Sequence, residues 1–512
     1  MSNSAARQHD NTPTNNMTNL ILAPIRINQL TLPNRMIVPA MVTRLSGEDG
    51  LVNQAITDRY TRFARGEVGL IVVEATAVHQ SKSGPLLRLG SDEFLDGHRE
   101  LVARIHDNGP SKVALQIIHF LKIARSGWRQ TVDMLSQDEI KAIIQAYADT
   151  AARVREAGYD AVELHMAHAY TLSSFLSTRN KRRDEYGGRS LETRLRVPSE
   201  VMLRVRQRVG DDYPIGVRFD AEECIKDGYG LNDAKYMALR LAQLGANYVS
   251  LSAGGKFEDA QHEEGEAPYP YTGYSGDRTM PPASFQDAPN VYLAAGVKAF
   301  LATHAPQLTT KVVTTGKIRT PSEGDAILQA GNADMIGFAR ALLADPDMPK
   351  KARLGRENTI VRCIYGNVCK QLDENFKQVR CGSLWPREFL HAPEAPNDDI
   401  APIWPDEGAH ISTKLNDDGR VRVTWKPAID PQGVYGYEVL RASNGGAFEH
   451  VSSSLTTNYV DETALAGNVY GYCVRAYDFA GNRSVASAMA EIVVSPRFEW
   501  VNKLALNHES TI

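Results

Sequence analysis

The spacing of hydrophobic residues changes rhythm once along the chain. Up to about residue 385, short apolar runs alternate with amphipathic helical stretches; beyond about residue 405 the alternation has a period of two. The first set of runs covers 35–43, 69–75, 113–119, a run opening at Val162, then 215–219, 248–252, 311–315 and 333–337. Between them the pattern predicts helices over 96–108, 136–157, 232–244 and 321–330, with Ser136 capping ahead of Glu139. Strands separated by helices pair in parallel, and the number of units fits an α/β fold, a (β/α)8 TIM barrel. Residues 20–34 alternate as a small hairpin would.

Residues 254–287 are polar, rich in Gly, Pro and Tyr, and too long for a simple connector. They read either as an insertion covering substrate at the barrel mouth or as a surface loop with no role. Residues 395–405 turn Pro- and Asp-rich, which marks a linker. Alternating runs at 419–425, 436–441, 457–461 and 470–477, separated by turn clusters, then predict a small all-β sandwich. The expected plan is a disordered tail (1–19), a barrel (20–385), a linker (386–404), a sandwich (405–496) and a second tail (497–512).

Composition narrows the function. A net charge of −4 gives no electrostatic reason to bind nucleic acid or an anionic membrane, and no apolar run approaches spanning length. The Asn-, Ser- and Thr-rich N-terminus lacks the apolar centre of a signal peptide, so a cytoplasmic protein is expected. Five cysteines in 512 residues are no disulfide scaffold.

The candidate chemistry lies where the fourth strand ends, in Val162-Glu-Leu-His-Met-Ala-His-Ala-Tyr170. Barrel active sites are built at the C-terminal ends of strands. His165 and His168 offer imidazole N–H donors to an electron-rich oxygen, and Tyr170 offers a phenolic proton. On spacing alone a metal pair or two satisfied core histidines are equally open readings, although no third metal ligand is nearby.

The run from His165 to Arg194 (HMAHAYTLSSFLSTRNKRRDEYGGRSLETR) resembles the signature of the old yellow enzyme family, the FMN-dependent ene-reductases. The likeness extends over about residues 20–385. It implies a TIM barrel whose hairpin closes the bottom, FMN as cofactor and NAD(P)H as electron donor. It implies that Pro39, Ala40, Met41, Val42 and Ala75 touch the flavin, that Gln116 pairs with its pyrimidine edge and that Arg218 lies near N1. Thr315, Gly316, Lys317, Ala339 and Arg340 fall at the phosphate positions, with Gly-Lys-Ile and Phe-Ala-Arg where the family has G-G-I and L-G-R. Val42 stands where many relatives carry Thr or Cys, so a hydrogen bond to the flavin is lost and a lower reduction potential is expected.

Cys363, Cys369 and Cys381 resemble the [4Fe–4S] motif of the trimethylamine dehydrogenase and 2,4-dienoyl-CoA reductase branch, with Gly366 in the second cysteine position. Three thiolates are one short of a cubane set; a [3Fe–4S] cluster or an outside ligand stays open, and loss of the cluster is the expected reading. That branch continues into nucleotide-binding domains. Here the sandwich, which resembles a fibronectin type III domain with Trp425 and Tyr472 as core aromatics, stands in their place. The resemblance implies reduction of an activated C=C bond in an α,β-unsaturated carbonyl compound, with His165 and His168 holding the oxygen and Tyr170 as acid. Two other readings stay open. One is a dehydrogenase or demethylase of an amine or ring, with Tyr269, Tyr271 and Tyr274 as a cation cage. The other is a non-catalytic barrel with a binding sandwich. A small-molecule substrate is expected, with a second copy of the chain or a redox protein as partner.

Overall fold

The computed structural model describes residues 19–80, 84–122, 129–255, 276–385, 389–392, 398–405, 410–416 and 419–495. The two expected tails, Asn19 aside, lie outside these residues, as do Tyr269, Tyr271 and Tyr274. Two strands, β1 (Ile25–Ile27) and β2 (Leu30–Leu32), form an antiparallel hairpin. Eight parallel strands follow: β3 (Met36–Val38), β4 (Leu70–Ala77), β5 (Lys112–Ile118), β6 (Ala161–Met166), β7 (Ile215–Glu222), β8 (Tyr248–Ala253), β9 (Lys311–Thr315) and β10 (Met335–Gly337). Each pairs with the next, and β10 pairs with β3 to close the barrel.

Alternation along each strand divides the core. Val162, Leu164 and Met166 of β6 join the layer between strands and helices. Ala161 packs with Leu70, Ala114, Tyr248 and Met335 inside the barrel, where Ile25, Ile27 and Leu32 of the hairpin plug the lower end. Gly216 is required there, because a Cβ would lie 2.0 Å from the Tyr248 ring. The Gln137–Glu156 helix begins with the expected capping box, Ser136 and Glu139 satisfying each other's backbone N–H groups.

The differences have local causes. The strand expected over 35–43 ends at Val38, where Pro39 has no N–H for the ladder, and residues 39–42 line the cavity at the strand ends instead. The Gln54–Arg65 helix, not among the expected elements, turns Ile56, Tyr60, Phe63 and Ala64 inward at helical spacing and also buries Thr57, Arg59, Thr61 and Arg62. Arg59 donates to the Val379 and Leu390 carbonyls, and Arg62 pairs with Asp347. The Val291–His304 helix is apolar nearly all round and contains Gly296, against which Leu231 packs.

Beyond the barrel, seven antiparallel strands form two sheets. They are β11 (Ile411–Leu415), β12 (Val421–Trp425), β13 (Val434–Ser443), β14 (Glu449–Ser454), β15 (Asn458–Asp461), β16 (Val469–Asp478) and β17 (Ala490–Val493). The sheet orders are β11-β12-β15 and β14-β13-β16-β17. Trp425 and Tyr472 are both in the sandwich core, and the Tyr472 hydroxyl donates to Asp461 at 2.7 Å. The sandwich packs on the barrel through Tyr435 and Tyr477, which join Leu343, Ala344, Val361 and Trp385 in one apolar cluster. Trp385 anchors that seam by donating its indole N–H to the Ala344 carbonyl at 2.9 Å. Among the described residues no helix is long and apolar enough to cross a membrane.

His98 illustrates how burial couples this fold to pH. Its Nδ1 meets the Tyr159 hydroxyl at 2.8 Å and its Nε2 the Arg88 carbonyl at 3.1 Å. Burial pushes its pKa down from the ordinary 6.5 to about 4. The native state therefore stays neutral while the unfolded chain takes up a proton below about 6.5. Stability from this residue is complete above that value and is lost as the pH falls toward 4, on the order of 3 kcal/mol in all. We expect the melting temperature of His98→Gln to fall less than that of the wild type between pH 6.5 and 4.5; parallel losses would contradict the assignment.

Candidate active site

At the C-terminal ends of the strands lies a cavity of about 1120 Å³. Its lining includes Pro39, Ala40, Met41, Val42, Ala75, Gln116, His165, His168, Tyr170, Arg218, Thr315, Gly316, Lys317, Ala339 and Arg340, every site residue expected from the sequence. Of the three motif cysteines, Cys369 lines it and Cys363 and Cys381 do not.

One wall is built by the turn after β6. His168 and Ala169 adopt left-handed conformations (φ 60° and 58°), which cost a side-chain-bearing residue on the order of 1 kcal/mol each. The turn is held by the His168 N–H to Asp220 at 2.7 Å and by the Ala169 N–H to Ser173 at 3.3 Å. Gly255 pairs with His168 from the end of β8, and a Cβ there would lie 2.7 Å from the His168 Cα. The result is an aromatic cluster. The His165 ring lies 5.1 Å from His168 and 5.1 Å from Tyr170, and Phe120 meets Tyr170 edge-on at 5.4 Å. The Ala167 N–H donates to His165 Nδ1 at 3.2 Å, so Nε2 carries the proton of the neutral ring. His168 Nε2 bonds to Ser252 Oγ at 2.7 Å, leaving Nδ1 as its other ring nitrogen.

Behind this wall, strand register sets the polar floor. His165 of β6 is level with Arg218 of β7, and Arg218 with Ser250 of β8. Arg218 donates to Ser250 at 3.1 Å and to Ser252 at 3.4 Å. One layer down, Gln116 donates its amide N–H to Glu163 at 2.7 Å, which leaves its carbonyl oxygen as the acceptor for a ligand. Burial raises the pKa of Glu163, and the neighbouring Arg218 and Gln116 oppose that shift. Burial likewise drives Asp220 well above the usual carboxyl range. Farther round the mouth, burial, aided by His79, pushes His119 down to about 3, so this wall presents a neutral imidazole.

The far end of the cavity is cationic. Lys317, Arg319 and Arg340 surround the Tyr365 ring at 5.5, 5.5 and 4.7 Å. Asp287 pairs with Lys317 and Arg319. The Lys317 ammonium donates to the carbonyls of Ala283 and Phe285, so its side-chain bonds go to the end of the 254–287 segment. Arg340 donates to the Pro281 carbonyl at 2.7 Å and to Asn367 at 2.6 Å. Thr315 Oγ1 is buried without a partner, beside Gly337, where a Cβ would lie 2.1 Å from it. Lys317 and Arg340, which line the cavity, together with an unused hydroxyl suit a phosphoryl group; Arg319 pairs with Asp287 and is not among the lining residues. With the Gln116 carbonyl and Arg218 at the other end, the donor set fits FMN.

The cysteine motif does not fit a four-thiolate cluster. It offers three sulfurs where such a cluster takes four. Burial pushes all three thiols up, Cys369 to about 11. At Gly366 a Cβ would lie 3.1 Å from Ser383 Oγ, with no fourth sulfur to replace it.

The sequence reading missed Glu163, Asp220, Ser250, Ser252 and Tyr365. The first four carry a detectable signal, polar residues at period two within buried strands (Glu163-x-His165, Arg218-x-Asp220, Ser250-x-Ser252), which marks an interior face that is not purely packing. Tyr365 has no local signal, because its role depends on three distant cations.

Comparison with known proteins agrees with this geometry. The NADH:flavin oxidoreductase / NADH oxidase family profile matches residues 20–132, 121–261 and 294–359. An NADH oxidase of Thermoanaerobacter brockii is 35% identical over 364 residues, covering 67% of this chain and 52% of that protein. An NADPH dehydrogenase of Halalkalibacterium halodurans is 33% identical over 351 residues, covering 65% of this chain and 94% of that protein. The structure of a 2-naphthoyl-CoA reductase complex superposes with a TM-score of 0.60 at 22% identity, covering 70% of this chain and 56% of that one, a likeness of fold. The chain spans about half the length of several curated relatives it matches. By profile and by identity, the chain belongs to the NADH:flavin oxidoreductase / NADH oxidase family, with an additional C-terminal β-domain.

Proposed function

We propose that the chain is an FMN- and NAD(P)H-dependent oxidoreductase that reduces the activated C=C bond of an α,β-unsaturated carbonyl compound. The observation that carries this reading is the meeting of His165, His168 and Tyr170 on one cavity wall, above Arg218 and Gln116. When bound, FMN supplies the two-electron chemistry, accepting hydride from NAD(P)H and passing it to an electron-poor carbon.

The chain's residues do the rest. Lys317 and Arg340 hold the phosphate end, with Lys317 acting through charge and backbone since its side-chain bonds go to the neighbouring loop. Gln116 presents its carbonyl oxygen to the pyrimidine edge, and Arg218 sets positive charge beside it. The His165 Nε2–H and the His168 ring hold the substrate oxygen. That polarisation draws electron density from the alkene and leaves its β-carbon electron-poor. Tyr170, fixed between the edges of Phe120 and His165, delivers its proton to the α-carbon. The sandwich is read as a fibronectin type III-like packing module that supports the barrel at Trp385.

Two measurements test this reading. In FMN-loaded Tyr170→Phe, turnover of cyclohex-2-enone should fall about 10²-fold or more, while the NAD(P)H-driven half-reaction keeps its rate. Full enone turnover would remove the tyrosine from its role. Val42 has no hydrogen-bonding side chain, and the hydroxyl of neighbouring Thr43 is engaged by the Leu45 N–H and by Glu74. Val42→Thr should therefore raise the flavin midpoint potential by about 30 mV, one added hydrogen bond of about 1.5 kcal/mol spread over two electrons. An unchanged or lower potential would contradict the placement of Val42.

A further inference from the structure

Three aspartates from separate segments converge far from the cavity, where the linker meets the sandwich. Asp398 lies in the linker, Asp430 in the turn between β12 and β13, and Asp478 at the end of β16. One carboxylate oxygen from each lies within 4.8 Å of the other two. Asp398 is 6% exposed and Asp478 1%.

Their hydrogen bonds are incomplete in a consistent way. Asp398 Oδ1 accepts the Ile400 N–H at 2.9 Å, and Asp430 Oδ1 the Gln432 N–H at 2.8 Å. Oδ2 of Asp398 and Oδ2 of Asp430 are buried with no partner. Asp478 accepts from the Asn482 backbone and side-chain N–H groups, both at 2.8 Å. Burial raises the Asp478 pKa, and Asp430 and Asp398 raise it further. Unpaired buried carboxylate oxygens cost several kcal/mol unless something compensates them.

We propose that Asp398, Asp430 and Asp478 form a binding site for a hard divalent cation, with calcium the best match. The donors are all oxygen, which suits calcium or magnesium and not zinc or copper. Calcium takes irregular sets of carboxylate and carbonyl oxygens, whereas magnesium demands near-ideal octahedral geometry and keeps several of its waters. Three carboxylates outweigh the charge of one such ion, and the two unpaired Oδ2 atoms are ready ligands.

The site's place in the fold gives it a purpose. Asn482, which holds Asp478, also donates to the Asp398 carbonyl at 2.7 Å and the Ile400 carbonyl at 3.2 Å. The same turn lies against the barrel: a Cβ on Gly481 would lie 2.2 Å from the Thr359 carbonyl oxygen, and Arg483 donates to the Ile360 carbonyl at 2.8 Å. A cation here ties linker, sandwich and barrel together at one point. It locks the seam and takes no part in the redox chemistry.

The test uses the full chain, stripped with a chelating resin and titrated with calcium chloride alone by calorimetry and by thermal unfolding. We expect one site with a dissociation constant of about 10⁻⁴ M or tighter, and a melting temperature raised by about 2 °C or more at saturation. Asp430→Asn should weaken calcium binding about tenfold or more, without lowering the melting temperature of the stripped protein. Magnesium should bind more weakly than calcium. Absence of both heat and thermal shift in the wild type overturns the site, as does an undiminished response in Asp430→Asn. Tighter binding of magnesium overturns the choice of calcium. The wild-type titration decides the matter by itself if the variant does not fold.

Discussion

A guanidinium enclosed in a ring of parallel strands is the constraint on which the cavity depends. Arg218 is held by Ser250 and Ser252, beside the carboxyl groups of Glu163 and Asp220. Burial disfavours its charge, Glu163 and Asp220 oppose that shift, and a guanidinium keeps its proton in proteins. Three of these four neighbours also hold a second group. Ser252 bonds His168, Glu163 fixes the Gln116 amide, and Asp220 receives the His168 backbone N–H in its left-handed turn. Hydrogen bonds through Ser252 tie the imidazole wall to Arg218, and charge through Glu163 ties the Gln116 floor to it, so loss of Arg218 would disturb both.

This coupling explains what could be read from the sequence. The eight barrel strands were legible because burial on both faces leaves continuous apolar runs. The positions that line the cavity were legible because strand ends deliver them at fixed places, and because the run from His165 to Arg194 is distinctive. The Gln54–Arg65 helix was not, although Ile56, Tyr60, Phe63 and Ala64 keep helical spacing, because the arginines and threonines buried beside them make the stretch polar overall. The engagement of Lys317 by Ala283 and Phe285, and the gathering of three cations around Tyr365, are contacts between distant segments that no local pattern encodes.

The C-terminal sandwich and the altered cysteine motif belong to the same region. Cys381 packs in one apolar cluster with Trp385, Tyr435 and Tyr477, where the sandwich meets the barrel. Leu343 belongs to that cluster and also lines the cavity, three residues after Arg340 in the same short helix. The sandwich therefore supports the element that carries the cationic end of the cavity. Cys363 and Cys369 pack against the same cluster.

The account stands on a flavin occupying the space between the His165–His168–Tyr170 wall and the Arg218–Gln116 floor. Its most direct test is the flavin content of the purified chain, read from the absorbance of cofactor released on denaturation. One FMN per chain is the predicted result, either as purified or after incubation with FMN. A colourless protein that takes up none would contradict it.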